Sequence, residues 1–170
     1  ALEISEYGRV ATFSWNTAQH LELYFAAPCT GRVLHTLNIR LFPEQLTYIV
    51  NHADDEVIFV DRSLLSLLAP LLPEFDRLKH LVLIDDGDGD GDIPDDLSGF
   101  ELLNYEDLLA SSAPVDWKPV DEHRAASMCY TSGTTGNPKG VVYSHRSTFL
   151  HTMGTMTADS LGARESDVVM

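Results

Sequence analysis

The sequence predicts an α/β fold built on a mostly parallel sheet with helices on both faces. Short β-branched or apolar runs recur along the chain, segments of helical period separate them, and that alternation is the pattern of strands joined by crossover helices. With 170 residues and 44% apolar content, the chain is sized for one domain with a sizeable core.

Residues 10–15 read as the first strand. Residues 17–27 follow as a helix, with Leu21, Tyr24 and Phe25 at i, i+3 and i+4 as its apolar face. Residues 33–37 form a second strand. Pro43 suits the fixed φ of a first helical position, and Leu46, Ile49 and Val50 supply the apolar face of the helix it opens. Residues 57–60 are a strand, Ser63 is expected to cap a leucine-rich helix over 64–72, and residues 81–84 are another buried strand. Trp15 and Trp117 read as packing residues.

The segment 85–96 breaks this rhythm with alternating Asp and Gly and holds seven of the 26 acidic residues. A calcium-loop frame starting at Asp86 puts Gly91 where a glycine belongs, but its twelfth position is Leu97, where a bidentate glutamate is required. The segment therefore reads as a solvated acidic insertion loop. Residues 125–130 form a strand entering a hydroxyl-rich loop, residues 141–143 resume extended structure, residues 146–159 are helical with Phe149, Met153 and Met156, and residues 168–170 approach a further strand.

Composition excludes several classes. A formal net charge of −15 argues against nucleic acid or an anionic membrane surface as partner, because phosphate-backbone binders need basic patches. Cys29 and Cys129 are the only cysteines and form no CxxC pair, so a disulfide framework or thiolate zinc site has no support, and a reducing cytoplasm is the expected compartment. Neither a signal peptide nor an apolar stretch of spanning length is visible.

The most informative run is Tyr130-Thr131-Ser132-Gly133-Thr134-Thr135-Gly136-Asn137-Pro138-Lys139-Gly140. Its glycines allow positive φ and close approach of backbone N–H groups to a phosphate, and the hydroxyls of Thr131, Ser132, Thr134 and Thr135 can donate to phosphate oxygens. Lys139 adds a compact positive charge. The GxxxxGK[ST] template of the P-loop fails, since Pro138 precedes the lysine and Gly140 follows it, and the next element reads as strand instead of helix. This is a phosphate loop of another kind.

The run resembles the phosphate-binding motif of the acyl-adenylate-forming superfamily. Its continuation, Val141-Val142-Tyr143-Ser144-His145-Arg146-Ser147, is similar to the fatty acyl-CoA synthetase branch. So are Arg9-Val10-Ala11-Thr12 with Trp15-Asn16, and the stretch from His35 through Asn38 and Arg40 to Gln45. The resemblance covers most of the chain except the acidic insertion.

The resemblance implies the large N-terminal domain of an enzyme that joins a fatty acid to coenzyme A through an acyl-adenylate, using ATP and Mg²⁺. It also implies that Thr131 lies nearest Mg²⁺ and that Ser132, Thr134 and Thr135, with Gly133, Gly136 and Gly140, cradle the phosphates. Lys139 would neutralise the departing pyrophosphate or shape the closed loop, and Lys139 with Thr131 would be the catalytic pair, stabilising charge on the leaving groups. His145 is a candidate contact to nucleotide or acyl substrate, while His35, Asn38 and Arg40 are expected to fix a loop beside the sheet.

The superfamily's later motifs, for adenine, ribose, a metal-binding carboxylate and a mobile C-terminal lysine, have no counterpart in residues 1–170. The chain is therefore expected to be a partial AMP-binding domain lacking residues at both ends, inactive and weak in ATP binding when alone. Two alternatives stand beside the fatty acid reading: a ligase for an aryl or other acid, and a non-catalytic module holding phosphate on the loop or Ca²⁺ on residues 86–92. Homodimerisation and peripheral membrane contact of a full-length protein stay open, although this acidic segment offers no basic amphipathic face.

Overall fold

The computed structural model of the chain describes residues 2–87, 93–131 and 137–168. In chain order its elements are β1 (Arg9–Phe13), α1 (Ala18–Cys29), β2 (Val33–Thr36), α2 (Pro43–Ala53), β3 (Asp55–Asp61), the short helix α3 (Leu65–Leu68) between two 3₁₀ turns, and β4 (His80–Ile84). They continue with β5 (Leu102–Asn104), α4 (Tyr105–Ala110), β6 (Ala125–Thr131), β7 (Lys139–Ser144) and α5 (His145–Thr155).

The strands form one seven-stranded sheet in the order β5-β4-β3-β1-β2-β6-β7. Every neighbouring pair is parallel except β6 and β7, an antiparallel hairpin at one end. Successive side chains on a strand face opposite ways, so the inner strands feed two cores. Ala11, Phe13, Ile58, Val60, Leu81 and Leu83 pack on one side with α2 and residues 62–74. Val10, Leu34, Val57, Phe59, Val82 and Ile84 pack on the other with Leu23 and Ala27 of α1 and Tyr105 of α4. All seven residues of β3 are buried, which is why its sequence does not alternate.

Pro43 starts α2 as the sequence predicts, and Leu46, Ile49, Val50 and Ala53 are its buried face. The Leu46, Ile49 and Val50 side chains each contribute about 1.5–3 kcal/mol by leaving water. The helix ends at Asp54, which takes the left-handed conformation at φ 54°.

The face expected for α1 is corrected. Leu21, Tyr24 and Phe25 are exposed at 59%, 47% and 61%, and the buried residues are His20, Leu23 and Ala27. The His20 ring sets this rotation: Nε2 lies 2.9 Å from the Thr12 hydroxyl and Nδ1 lies 2.8 Å from the Trp15 carbonyl oxygen, pinning that face to the end of β1.

Residues 62–74 are not one capped helix. Pro70 and Pro73 remove amide donors, and the stretch divides into a 3₁₀ turn at Arg62–Leu64, α3, and a second 3₁₀ turn at Ala69–Glu74. Ser63 does not cap it: its hydroxyl donates to Asp86 and accepts from Trp15 Nε1 at 3.0 Å. The packing role expected of the tryptophans is corrected as well, since Trp15 and Trp117 are 45% and 63% exposed.

The strand β5 and helix α4 have no counterpart in the sequence reading. At the other end, α5 buries none of its residues, and Phe149 and Met153 on it and Met156 just after it are exposed. Val168 is irregular, and residues 169–170 of the strand expected there lie outside the described residues.

Candidate functional site

The described ends of the candidate phosphate loop, at Thr131 and Lys139, sit at the carboxyl end of the parallel sheet, where open α/β sheets place their ligands. Both ends are strand. Thr131 closes β6, Lys139 opens β7, and the two are direct cross-strand partners, with Tyr130 opposite Gly140 in the preceding position. Thr131, Lys139 and Gly140 thus belong to the arms of a hairpin, and the loop proper is shorter than the sequence reading. Ser132, Gly133, Thr134, Thr135 and Gly136 lie outside the described residues.

Cross-strand partners project to the same face, with Cβ atoms about 4.5–5.5 Å apart. A hydroxyl and an ammonium therefore stand side by side on the exposed root of the hairpin, a donor pair suited to phosphate oxygens. Tyr130 and Gly140 point to the opposite face, toward α2.

On that inner face Tyr130 meets three elements. Its hydroxyl is 2.6 Å from His52 Nδ1 on α2, its ring lies 5.3 Å from that of His35 on β2, and Gly140 on β7 leaves the space in which the ring lies. A Cβ at position 140 would come within 3.2 Å of Tyr130 Cζ. Burial, then the charge of Asp55, pushes the Tyr130 phenol up to about 12, so it keeps its proton where it meets His52 Nδ1.

His35, expected to fix a loop beside the sheet, instead makes its contact within the sheet. It is fully buried within β2, and its Nδ1 lies 2.8 Å from the equally buried Asp55 carboxylate. Burial pushes Asp55 up, against the opposing hydrogen bond from His35. Asn38 does hold its loop, accepting from the Arg40 amide at 3.0 Å. Nothing in the spacing of His35, His52, Asp55 and Tyr130 marks them as neighbours, and only the motif membership of Tyr130 draws notice.

His145 is not brought to this site. It follows β7 at the far end of the hairpin from Lys139, beyond a strand that spans about 17 Å from Lys139 to Ser144 at about 3.3 Å per residue. There it lines a cleft of about 360 Å³ with Cys29, Trp117, Lys118, Arg146 and Phe149, and its buried Nε2 lacks a partner among the described residues. A larger cavity of about 630 Å³ lies between α1, β1, β3 and residues 115–121, also away from the hairpin.

A second place at the carboxyl end is the switch between β3 and β1, where connections depart in opposite directions. The chain's own groups occupy it: Asp61 accepts from the Ser14 hydroxyl at 2.5 Å and the Trp15 amide at 2.7 Å. Burial pushes the Asp61 carboxyl up, the Ser14 and Trp15 donors oppose this, and the nearby charge of Asp86 adds to the rise. Among the described residues no three His, Cys, Asp or Glu side chains converge as a metal site does, and residues 88–92 of the calcium frame lie outside them.

The profile of one protein family, described as AMP-binding enzyme, matches residues 1–170. The chain belongs to this family. Relatives of this chain include the 3-methylmercaptopropionyl-CoA ligase of Ruegeria pomeroyi, 47% identical over 98% of this chain and 30% of that protein. The medium-chain-fatty-acid–CoA ligase of Ectopseudomonas oleovorans is 43% identical over 95% of this chain and 29% of its own length. The long-chain-fatty-acid–CoA ligase of Thermus thermophilus is 42% identical over 100% and 29%. The chain thus spans about 30% of the length of these ligases.

The fold agrees. A long-chain-fatty-acid CoA ligase structure from Rhodopseudomonas palustris superposes with a TM-score of 0.76 at 21% identity, covering 97% of this chain and 38% of that one. An acetoacetyl-CoA synthetase from Streptomyces lividans gives 0.77 at 20%, covering 91% and 24%. The mostly parallel sheet with helices on both faces is therefore the one these enzymes use.

Proposed function

We propose that the protein carrying this chain activates a fatty acid with ATP to an acyl-adenylate and then transfers the acyl group to coenzyme A. The observation that carries the reading is the Thr131–Lys139 pair at the root of the β6–β7 hairpin, with a run of hydroxyls and glycines between them. As pyrophosphate departs, negative charge grows on its oxygens, and a fixed ammonium and hydroxyl stabilise that charge more in the transition state than in the ground state.

Magnesium fits this arrangement as an ion carried on the triphosphate. Thr131 offers one neutral hydroxyl, and Mg²⁺ takes most of its ligands from phosphate oxygens and water. That suits a chain whose described residues show no carboxylate cluster. A reducing cytoplasm is the compartment we propose, on the free Cys29 and Cys129.

Relatives named as medium- and long-chain fatty-acid ligases, 42–43% identical, support the fatty acid. A second reading, a short thioether acid, is supported by the 47% identity to a 3-methylmercaptopropionyl-CoA ligase. Acid-dependent exchange of labelled pyrophosphate into ATP by the full-length protein tests both, with octanoate, palmitate, 3-methylmercaptopropionate and benzoate as acids. Highest kcat/KM with octanoate or palmitate supports the first reading, preference for the thioether acid supports the second, and exchange with none of the acids rejects both.

A further inference from the structure

We propose that Tyr130 is a positioning residue for the nucleotide-handling end of the hairpin, anchoring the arms that carry Thr131 and Lys139 to the body of the sheet through His52. This rests on the function proposed above. The described pairing of β6 with β2 consists of Leu34↔Ser127 and His35↔Met128, so no ladder to β2 extends past Met128. From Cys129 to Thr131, β6 is paired with β7 alone, and β7 is the last strand of the sheet and largely exposed. A two-stranded ribbon projecting from a sheet is free to twist and swing. Here one inward side chain ties it down.

That side chain is Tyr130. Its hydroxyl reaches His52 on α2, and His52 is itself held by Tyr48, whose ring stacks on it at 5.2 Å. The ring leans on His35, which Asp55 holds from the other side. Gly140 provides the space on β7 through which the ring passes, so the anchor engages both arms. Thr131 and Lys139, one residue further along each arm, inherit their orientation from this contact. Fixing donors before substrate arrives removes an ordering cost from the reaction step.

The anchor is testable in the full-length protein with Tyr130→Phe, His52→Leu and His52→Asn. An asparagine amide reaches the place of histidine Nδ1, and leucine offers no polar atom there. Tyr130→Phe and His52→Leu are expected to raise the KM for ATP in pyrophosphate exchange, or lower its kcat, by about 3- to 10-fold, the worth of one hydrogen bond. Thioester formation from preformed acyl-adenylate should be unchanged, and His52→Asn should recover most of the loss.

Hydrogen exchange of the peptide spanning residues 129–141 should quicken in Tyr130→Phe with the rest of the molecule unaffected. Unchanged exchange kinetics and protection in Tyr130→Phe would overturn the anchor. So would a uniform loss in both half-reactions, or His52→Asn behaving like His52→Leu. A wild-type protein inactive with every acid would reject the proposed function, while the hydrogen-exchange comparison would still decide the anchor.

Discussion

His35 on β2 and Asp55 at the head of β3 meet at 2.8 Å across the intervening strand β1, with neither side chain exposed. His35 Nε2 has no partner among the described residues, so Asp55 is the one polar contact described for this buried ring. Asp55→Ala is expected to cost about 2–3 kcal/mol in urea unfolding, because it leaves a buried imidazole N–H without its acceptor. Asp55→Asn, which keeps an oxygen to accept from Nδ1–H, should cost about 1–2 kcal/mol. Equal costs for the two would show that the acceptor is immaterial.

The Tyr130–Gly140 contact predicts a coupling. A methyl group at position 140 would press within 3.2 Å of the ring, so Gly140→Ala is expected to destabilise by about 1–3 kcal/mol. With Tyr130→Ala already made, the same change should be neutral or mildly stabilising, since alanine restricts the unfolded chain more than glycine does. A double-mutant cycle in urea reads the difference, and additive effects would contradict the packing.

Tyr130 also predicts alkaline behaviour. Burial, followed by the Asp55 charge, pushes its phenol from 10.0 to about 12, so the fold favours the neutral form. The stability this brings is complete below pH 10 and is lost as pH rises toward 12. Phenolate absorbance of the wild type minus that of Tyr130→Phe should show a step near the upper value. A step at the ordinary tyrosine value would place the phenol in water.

Lys139→Ala in the full-length protein should slow acyl-adenylate formation by roughly 10²-fold, the usual effect of removing one preorganised donor. Thioester formation from preformed adenylate should be spared. Rapid-quench measurement of each half-reaction separates them, and equal loss in both would remove Lys139 from the pyrophosphate step.

Much of the architecture was legible because it follows from local pattern. In α2, Leu46, Ile49 and Val50 form one stripe bounded by polar residues, so a single orientation buries them. In α1 both faces carry apolar residues, and periodicity alone could not choose between Leu21, Tyr24 and Phe25 on one side and Leu23 and Ala27 on the other. The His20 ring, bonded to β1, chose. The three residues of β5 fall below the length at which any period can be recognised.

The sequence by itself determined the alternation of strand and helix, because apolar period is a local property, and it singled out residues 130–140 as the candidate phosphate loop by their hydroxyls, glycines and lysine. Only the tertiary structure decided that Thr131 and Lys139 face each other and that Tyr130 reaches His52. It likewise placed His35 and Asp55, twenty residues apart, in one buried pair and set His145 at the opposite end of the hairpin. These are relations between segments distant in the chain, settled by strand order and register, and no local pattern of residues encodes them.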